Sequence, residues 1–269
     1  MTEGIDHLVC FADRHPWHVA AQRMAWRRGI TPLPDEFGYL RPDWITIKLG
    51  GQSVCSHFPN RLEVIRAHAA TLPAPDMATR FSYPHVQEAL AEMADHLGNA
   101  LFRPFLPQFV SDRFRHPVVE YLALAAKAGL AERVDFIDGG DPLALMAGAM
   151  GAINVNSTAG LHVLQAGYPA QCLGLATYDI VGITHQGPLA GFWSAPHRPD
   201  PDDVAALVRV LAATIHVRGD FFSPDGRPSA VAGSVALIER GAVINCPGQE
   251  AIPRRVAVAR RQGISVDIW

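Results

Sequence analysis

Strand-like and helix-like segments alternate along the second half of this chain. Helical spacing over 118–130 leads to an apolar run at 133–137, and a helix over 142–150 leads to the run AINV. The helix GLHVLQAG and the strand AQCLGL extend the series to residue 175. Since parallel strands need a crossover between them, usually a helix, this alternation predicts a parallel sheet covered by helices.

The N-terminal residues predict a second α/β unit. The continuous apolar run at 5–12 is typical of a strand covered on both faces, and a helix with Pro16 in its first turn and Gly29 just past its end follows. ITPLPDE is then expected to be the next strand, which completes a β-α-β unit. Further along we expect a strand at WITIKL, an amphipathic helix over 85–101, and a long helix over 200–219 with an acidic start.

The composition excludes several classes of protein. With 49% hydrophobic and 18% charged residues among 269, the chain can bury one large core or two modest ones. A net charge of −3 gives no general attraction to nucleic acid, and no apolar run approaches the ~20 residues that span a bilayer. The N-terminus lacks the basic start of a signal peptide, so we expect a cytoplasmic protein whose four scattered cysteines are reduced thiols.

A short polar stretch interrupts the alternation where a strand gives way to a helix. Asn156, Ser157 and Thr158 follow the strand, and Gly160 opens the helix. Ligands of parallel α/β sheets bind beyond the carboxyl ends of strands, where a helix start offers unpaired N–H groups and a positive dipole end. The stretch therefore suits a phosphate, with hydroxyl donors and close backbone approach at Gly160. The same residues are typical of a helix N-cap, and both interpretations stay open.

Two longer stretches carry a family resemblance. They are PDEFGYLRPDWITIKLGGQSVCSHFPN at 34–60 and VNSTAGLHVLQAGYPAQCLGLATYDIVGITHQGPLAGFWSAP at 155–196. Both resemble the bacterial capsule polysaccharide biosynthesis and export family, through the patterns E-x-G-Y-L-R-P-D-W-I-T, N-S-T-x-G-L and Y-D-I-x-G-I-T-x-Q. The resemblance covers most of residues 5–222.

The resemblance implies both a fold and an activity. Family members are β-Kdo glycosyltransferases that start the lipid-linked linker of group 2 capsules. They imply an α/β fold of the GT-B type, with two Rossmann-like units and parallel sheets. In this chain the N-terminal, acceptor-side unit at 1–117 looks incomplete, and the nucleotide-sugar-binding unit occupies 118–269. The implied partners are the donor CMP-β-Kdo, a lysophosphatidylglycerol-type phospholipid acceptor, and other capsule assembly proteins at the inner face of the cytoplasmic membrane.

The resemblance also assigns donor-binding residues. Asn156, Ser157 and Thr158 match the turn that holds the donor phosphate, with Gly160 beside them. Tyr178 and Gln186 match a loop expected beside the base or ribose of the nucleotide, although residues of this kind often only fix the loop.

Three further residues are candidates for catalysis. Glu36 matches the acid of E-x-G-Y, either as general base for the acceptor or as a structural carboxylate paired with Arg41. Relative to the family, this chain is compressed between about 98 and 121. One alignment there takes Asp112 as the nucleophile and His116 as the ligand of the donor phosphate. The other alignment matches FLPQFVSDRFRHPVVEY to a non-catalytic stretch, so that both motifs are missing.

These assignments imply retaining transfer, in which a carboxylate attacks the anomeric carbon as CMP leaves and the acceptor hydroxyl then displaces the enzyme. No metal or other cofactor is expected, because no histidine cluster has ligand spacing. The shortened middle leaves an alternative: a degenerate, inactive family member that retains a nucleotide-binding half.

The C-terminal segment is rich in arginine. Arg254, Arg255, Arg260 and Arg261 lie within eight residues of one another. We expect a solvated surface there, with contact to anionic lipid headgroups as the alternative.

Overall fold

The computed structural model describes residues 4–12, 16–52, 55–81, 90, 93–94, 97–98, 101–102, 105, 117–137 and 141–261. The chain divides into two compact units, one formed by Met1–Ser82 with Pro142–Trp269 and the other by Tyr83–Asp141. The division predicted between residues 117 and 118 stays a prediction. Within the described ranges, no helix combines the length and apolar character that crossing a bilayer requires.

A four-stranded sheet forms the centre of the first unit. Its strands in spatial order are β1 (His7–Phe11), β2 (Thr31–Phe37), β3 (Trp44–Ile47) and β6 (His216–Arg218). Helix α1 (Pro16–Arg27) connects β1 to β2, which run parallel, so the predicted β-α-β unit is confirmed. β3 is antiparallel to both neighbours, which makes this sheet mixed rather than wholly parallel.

A second, two-stranded sheet carries the polar stretch. It pairs β4 (Ala152–Asn154) with β5 (Ala170–Cys172) in parallel, and helix α5 (Ala159–Gln165) connects them. The predicted strand-helix-strand order is therefore confirmed in this segment, as a parallel pair with its crossover helix. The local pattern was sufficient because the whole unit lies within about twenty residues of sequence.

The predicted strand at 133–137 is wrong. A 3₁₀ turn occupies Ala131–Arg133, and 134–137 have no regular structure. Val134, Phe136 and Ile137 are all exposed, and no described strand pairs with them. An apolar run forms a strand when it can pair with a neighbouring strand and pack its side chains against a core. In the described part of this unit, residues 134–137 do neither.

The remaining helices complete the two units. In chain order they are α2 (Leu62–Ala69), α3 (Pro117–Lys127), α4 (Pro142–Met146), α6 (Leu189–Ser194), α7 (Pro201–Thr214), α8 (Gly226–Glu239) and α9 (Arg254–Arg261). The helix predicted over 85–101 falls mostly outside the described residues. Its expected apolar residues Leu90, Met93 and Leu97 are exposed.

Helix α7 begins as predicted but ends early. The Asp200 carboxylate accepts the N–H of Asp202 at 2.9 Å, and Pro201 occupies the first helical position. The predicted helix over 200–219 is corrected at its end, because 216–218 form β6. Pairing of these residues with β3 outweighs the local helical pattern.

The two faces of the four-stranded sheet differ in polarity. Residues paired across strands share a face, so Leu33, Ile45, Ile47 and Val217 lie together and pack against α8. Gly233 allows α8 to approach this face closely, since a Cβ there would lie 2.4 Å from Cγ1 of Val217. The opposite face carries polar residues that position the candidate site, among them Glu36, Thr46 and His216 in one cross-strand row.

Candidate functional site

The two stretches that carry the family patterns meet in the first unit. Lys48, just after β3, donates its ammonium N–H groups to the hydroxyls of Tyr39 and Thr177, the latter at 2.9 Å. Thr177 in turn donates to the Tyr39 hydroxyl at 3.0 Å. Two segments that are more than a hundred residues apart in the sequence are thus joined by one buried hydrogen-bonded triad.

The amino group of Lys48 belongs to a fully buried side chain. This side chain is 2% exposed, and its ammonium lies 4.2 Å from the centre of the Tyr39 ring. Burial lowers the pKa of Lys48, while the Tyr39 hydroxyl and the Glu36 carboxylate partly offset that effect. Glu36 therefore lies on the same face as Lys48, and its role as general base or structural carboxylate stays a prediction.

Glu36 itself is half-buried in β2, opposite Thr46. The Thr46 hydroxyl donates to the main-chain carbonyl of Glu36 at 3.3 Å. Arg41, the partner considered for Glu36, has its guanidinium over the Phe37 ring at 5.1 Å. Gly38 of the same motif is needed for close approach, because a Cβ there would lie 2.5 Å from the carbonyl oxygen of Trp44.

His216 fixes the main chain that follows Glu36. Its Nε2 accepts the N–H groups of Tyr39 at 2.9 Å and Leu40 at 3.3 Å. Its Nδ1 therefore carries the proton and donates to the Leu211 carbonyl at 3.0 Å. Burial lowers the pKa of His216 to about 3, so the ring is neutral and serves as a structural acceptor.

Arg254 holds the second stretch in place. Its guanidinium is buried and donates to three main-chain carbonyls, those of Ala176, Thr177 at 2.7 Å and Asp179 at 2.9 Å. Burial lowers the pKa of Arg254, and the nearby Asp179 charge partly offsets the shift. The expectation of a solvated arginine surface is wrong for this residue, because its head group replaces water as donor to the loop 176–179.

The polar turn between β4 and α5 satisfies many of its own N–H groups. The N–H of Ser157 binds Asn154 Oδ1 at 3.1 Å, and the N–H of Ala159 binds the Ser157 hydroxyl oxygen at 3.3 Å. Gly160 and Leu161 donate to carbonyls three residues earlier. The N–H groups of Asn156 and Thr158 remain as donors without a partner in the described part of the chain.

Both sequence interpretations of this turn find support in its geometry. The Ser157 hydroxyl caps the start of α5 locally, as the N-cap interpretation predicted, whereas Thr158 makes no side-chain cap. Asn156 and Ser157 are nevertheless exposed residues, and Thr158 is half-buried. Their role in donor binding stays a prediction.

Tyr178 and Gly160 belong to the support of the turn. The Tyr178 side chain is fully buried, and its hydroxyl donates to Asn154 Oδ1 at 2.9 Å and lies within reach of the Ser157 carbonyl. A Cβ on Gly160 would lie 2.2 Å from that hydroxyl. Tyr178 therefore lies behind the turn, and the missing side chain of Gly160 makes room for its hydroxyl. The donor-binding roles of both residues stay predictions.

Gln186 lies in a hydrogen-bonded loop. Its amide donates to Asp179 Oδ1 at 2.9 Å and to the Thr184 hydroxyl at 2.7 Å, and Thr184 also donates to Asp179 at 2.7 Å. Part of the Gln186 side chain reaches the surface, so its carbonyl oxygen can meet solvent or a ligand. These bonds fix the loop, and contact with a base or ribose stays a prediction.

Asp112 and His116 lie outside the described residues, so the two alignments of this segment stay open. Among the described residues, no three histidine, cysteine, aspartate or glutamate side chains come together as a metal site. No disulfide joins the four cysteines, all of which are described. Burial raises the pKa of Cys172, beside the turn, to about 12, which leaves it a protonated thiol.

Sequence reasoning missed three residues of this junction. The position of Lys48 could have been noticed in the sequence, because it directly follows the apolar strand β3, whose residues are all buried. A lysine at such a place needs specific partners. His216 falls within a helical pattern, and Arg254 within a segment typical of a solvated surface. Their partners are main-chain groups outside those patterns, and such contacts leave no local signal.

The stretches that form this junction lie within a region that matches a known protein family. A family model described as "Capsule polysaccharide biosynthesis protein" matches residues 6–131 and 123–222. The chain is 24% identical over 296 aligned positions to the capsule polysaccharide export protein KpsS of Escherichia coli, covering 72% of this chain and 74% of KpsS.

Shorter matches come from Neisseria meningitidis. The capsule polysaccharide modification protein LipB of serogroup A is 39% identical over 74 residues, which are 28% of this chain and 18% of LipB. LipB of serogroup B matches with the same identity and coverage. The matches agree with the motif stretches in pointing to one family.

Proposed function

The chain belongs to the capsule polysaccharide biosynthesis protein family, and from that premise we propose that it transfers β-Kdo from CMP-β-Kdo to a lysophosphatidylglycerol-type acceptor. The GT-B arrangement is part of this proposal. The β1-α1-β2 unit would serve the acceptor side and the β4-α5-β5 unit the donor side. One observation carries the proposal: the triad of Lys48, Tyr39 and Thr177 fastens the two family stretches into a single junction beside the exposed polar turn.

The polar turn provides the donors for the phosphate of CMP. The N–H groups of Asn156 and Thr158 are available in the described part of the chain, and the hydroxyl-bearing residues are exposed at Ser157 and half-buried at Thr158. Preorganised donors of this kind stabilise the negative charge that develops on CMP as it leaves. Tyr178 keeps the turn in shape through Asn154, which is a positioning role.

The reaction proceeds with retention in two displacements. A carboxylate, Asp112 in the first alignment, forms a bond to the anomeric carbon while the bond from that carbon to the CMP phosphate breaks. The acceptor oxygen then bonds to the same carbon, the bond to the enzyme breaks, and Glu36 takes the proton of the acceptor hydroxyl. His116 would neutralise the departing phosphate.

The test is a CMP-release assay with the full chain, CMP-β-Kdo and lysophosphatidylglycerol. We expect release that requires the acceptor and a product that contains β-Kdo. The double variant Ser157→Ala/Thr158→Ala removes both hydroxyls and should lower kcat/KM at least tenfold, which corresponds to ~1.4 kcal/mol of transition-state stabilisation. The matched double variant Thr71→Ala/Ser194→Ala removes two exposed hydroxyls elsewhere and should change little.

Two outcomes separate the alternatives. Loss of release in Asp112→Ala, with CMP binding intact by calorimetry, supports the first alignment, and full activity of that variant excludes Asp112 as nucleophile. The other outcome is a wild-type chain that binds CMP but does not cleave CMP-β-Kdo to CMP. That result would identify the chain as the degenerate family member and would refute the transferase proposal.

A further inference from the structure

We propose that a cavity at the carboxyl ends of β1, β2 and β6 binds a small organic ammonium compound, with the Asp35 carboxylate as its charged contact. This site lies on the sheet face opposite Glu36 and Lys48, since Asp35 alternates with Glu36 along β2. It does not depend on the proposed glycosyl transfer.

The cavity occupies a place where α/β proteins bind ligands. β2 and β6 are both antiparallel to β3, so β1, β2 and β6 run in one direction and their carboxyl ends meet at one edge. Two adjoining hollows of about 500 Å³ and about 420 Å³ lie there. They share Val9, Asp35 and Phe221, so Asp35 lies where the two meet.

Four phenylalanines form the aromatic wall. The rings of Phe11 and Phe37 both contact Phe221 edge to face at 5.3 Å, and Phe222 stacks on Phe37 at 5.8 Å. Helix α8 supplies an aliphatic wall to the smaller hollow. Its apolar lining residues are Ala230, Val231, Val235 and Ile238. Aromatic rings attract cations through their negative faces, and the aliphatic groups suit a hydrocarbon body.

Asp35 is the polar group that distinguishes this cavity from a packing defect. It pairs across strands with Phe11 and Ile47, which places its side chain on the α8 face. Its Oδ1 is buried and accepts no hydrogen bond from the described part of the chain. Burial raises the pKa of Asp35, and a hydrogen bond to its own backbone and the charge of His18 only partly offset this. A buried carboxylate oxygen without a donor is costly, and a ligand that donates to it removes that cost.

The other charged groups of the cavity are already engaged. Asp220 accepts the N–H groups of Phe222 at 2.7 Å and Ser223 at 2.5 Å, and the Ser223 hydroxyl at 2.6 Å. Arg227 lies close enough to favour the Asp220 charge. Asp35 therefore remains as the carboxylate of the wall whose Oδ1 lacks a donor in the described part of the chain, and charge complementarity favours a cationic N–H donor over a neutral or anionic ligand.

Calorimetry with three matched probes tests the proposal. The full chain is titrated with 2-phenylethylamine, 2-phenylethanol and phenylacetate, which share an aryl body and differ in charge. We expect the amine to bind at least tenfold more tightly than the alcohol and the acid. Equal binding of the alcohol, or no binding of the amine, overturns the proposal without recourse to any variant.

A variant pair locates the site. Asp35→Asn keeps the shape of the side chain and removes its charge, and should weaken amine binding at least tenfold with unchanged thermal unfolding of the apo protein. Glu63→Gln removes one exposed carboxylate on α2 and should leave amine binding unchanged. Unaltered amine binding by a folded Asp35→Asn protein assigns the amine elsewhere and overturns the proposal.

Discussion

The two faces of the four-stranded sheet are held by different kinds of contact. The α8 face is joined by apolar packing around Leu33, Ile45 and Ile47. The opposite face is joined by hydrogen bonds that the buried Lys48 side chain donates and the buried His216 ring accepts. Apolar packing stabilises in proportion to buried area and is not directional, whereas each buried polar group needs a partner at a fixed position. The α8 face therefore contributes mainly stability, and the opposite face contributes mainly geometry to the family motifs.

The largest loss of stability is expected for a substitution on the apolar α8 face. Leu33 has no exposed surface, and Leu33→Ala should reduce the free energy of unfolding by ~3–4 kcal/mol through lost burial and a residual cavity. Urea unfolding followed by circular dichroism measures it. Leu173→Ala, at an exposed position, serves as the control. A comparable loss of stability in both variants would show that packing on the α8 face contributes no more to stability than an exposed leucine does.

Arg254→Met should give the next largest loss. The methionine fills most of the space but leaves the carbonyls of Thr177 and Asp179 without the guanidinium donor, at a cost of ~3 kcal/mol. The carbonyl of Ala176 keeps the N–H of Asp179 at 3.1 Å. Arg260→Met, at an exposed position on the same helix, should stay within ~0.5 kcal/mol of wild type in the same urea experiment. Equal stability of the two variants would mean that water replaces the guanidinium without cost.

His216 predicts a pH dependence. Its pKa is about 3 when folded and about 6.5 when unfolded, so the unfolded chain binds more protons between these values. Its contribution is fully present above pH 6.5 and is lost as the pH falls towards 3, with ~2 kcal/mol of it gone at pH 5. His216→Gln should lose correspondingly less stability between pH 7 and pH 5. Parallel urea midpoints for both proteins at the two pH values would contradict this.

Lys48→Met should have the smallest effect. The Thr177 hydroxyl still donates to Tyr39, so both former acceptors keep a partner, and an apolar side chain avoids the burial of a charge. The expected change in the free energy of unfolding is below ~1 kcal/mol, in either direction. A loss above ~3 kcal/mol would show instead that the buried charge is a main support of the polar face.

Local pattern predicted the parts of the fold that depend on local contacts. β1, α1 and β2 follow one another within 31 residues, and the β4-α5-β5 segment is shorter still. The sequence of strand β6 has a helical pattern, so local pattern did not predict this strand. Its three residues form a strand because they pair with β3. The apolar run at 133–137 shows the converse, since a strand-like composition without a described partner strand stays irregular.

The candidate site was predictable to a similar extent. The turn at Asn156–Thr158 follows from the change of periodicity, and it does lie between a strand and a helix. Its role in donor binding stays a prediction. The burial of Tyr178 and the contact that requires Gly160 depend on how β5 and the following loop pack behind α5. Arg254 belongs to neither family stretch, and its role depends on three carbonyls that lie some seventy-five residues earlier.

The pairing of β3 with β6 sets an order for folding during synthesis. Residues 44–47 leave the ribosome long before residues 216–218 are synthesised. The edge of β3 that pairs with β6 therefore has no strand partner while α2 to α7 are being synthesised. The polar face closes after that, because His216 arrives on the same strand and orders Tyr39 and Leu40. The nascent chain therefore acquires its motif junction late, once β6, the last strand in the described part of the chain, has been translated.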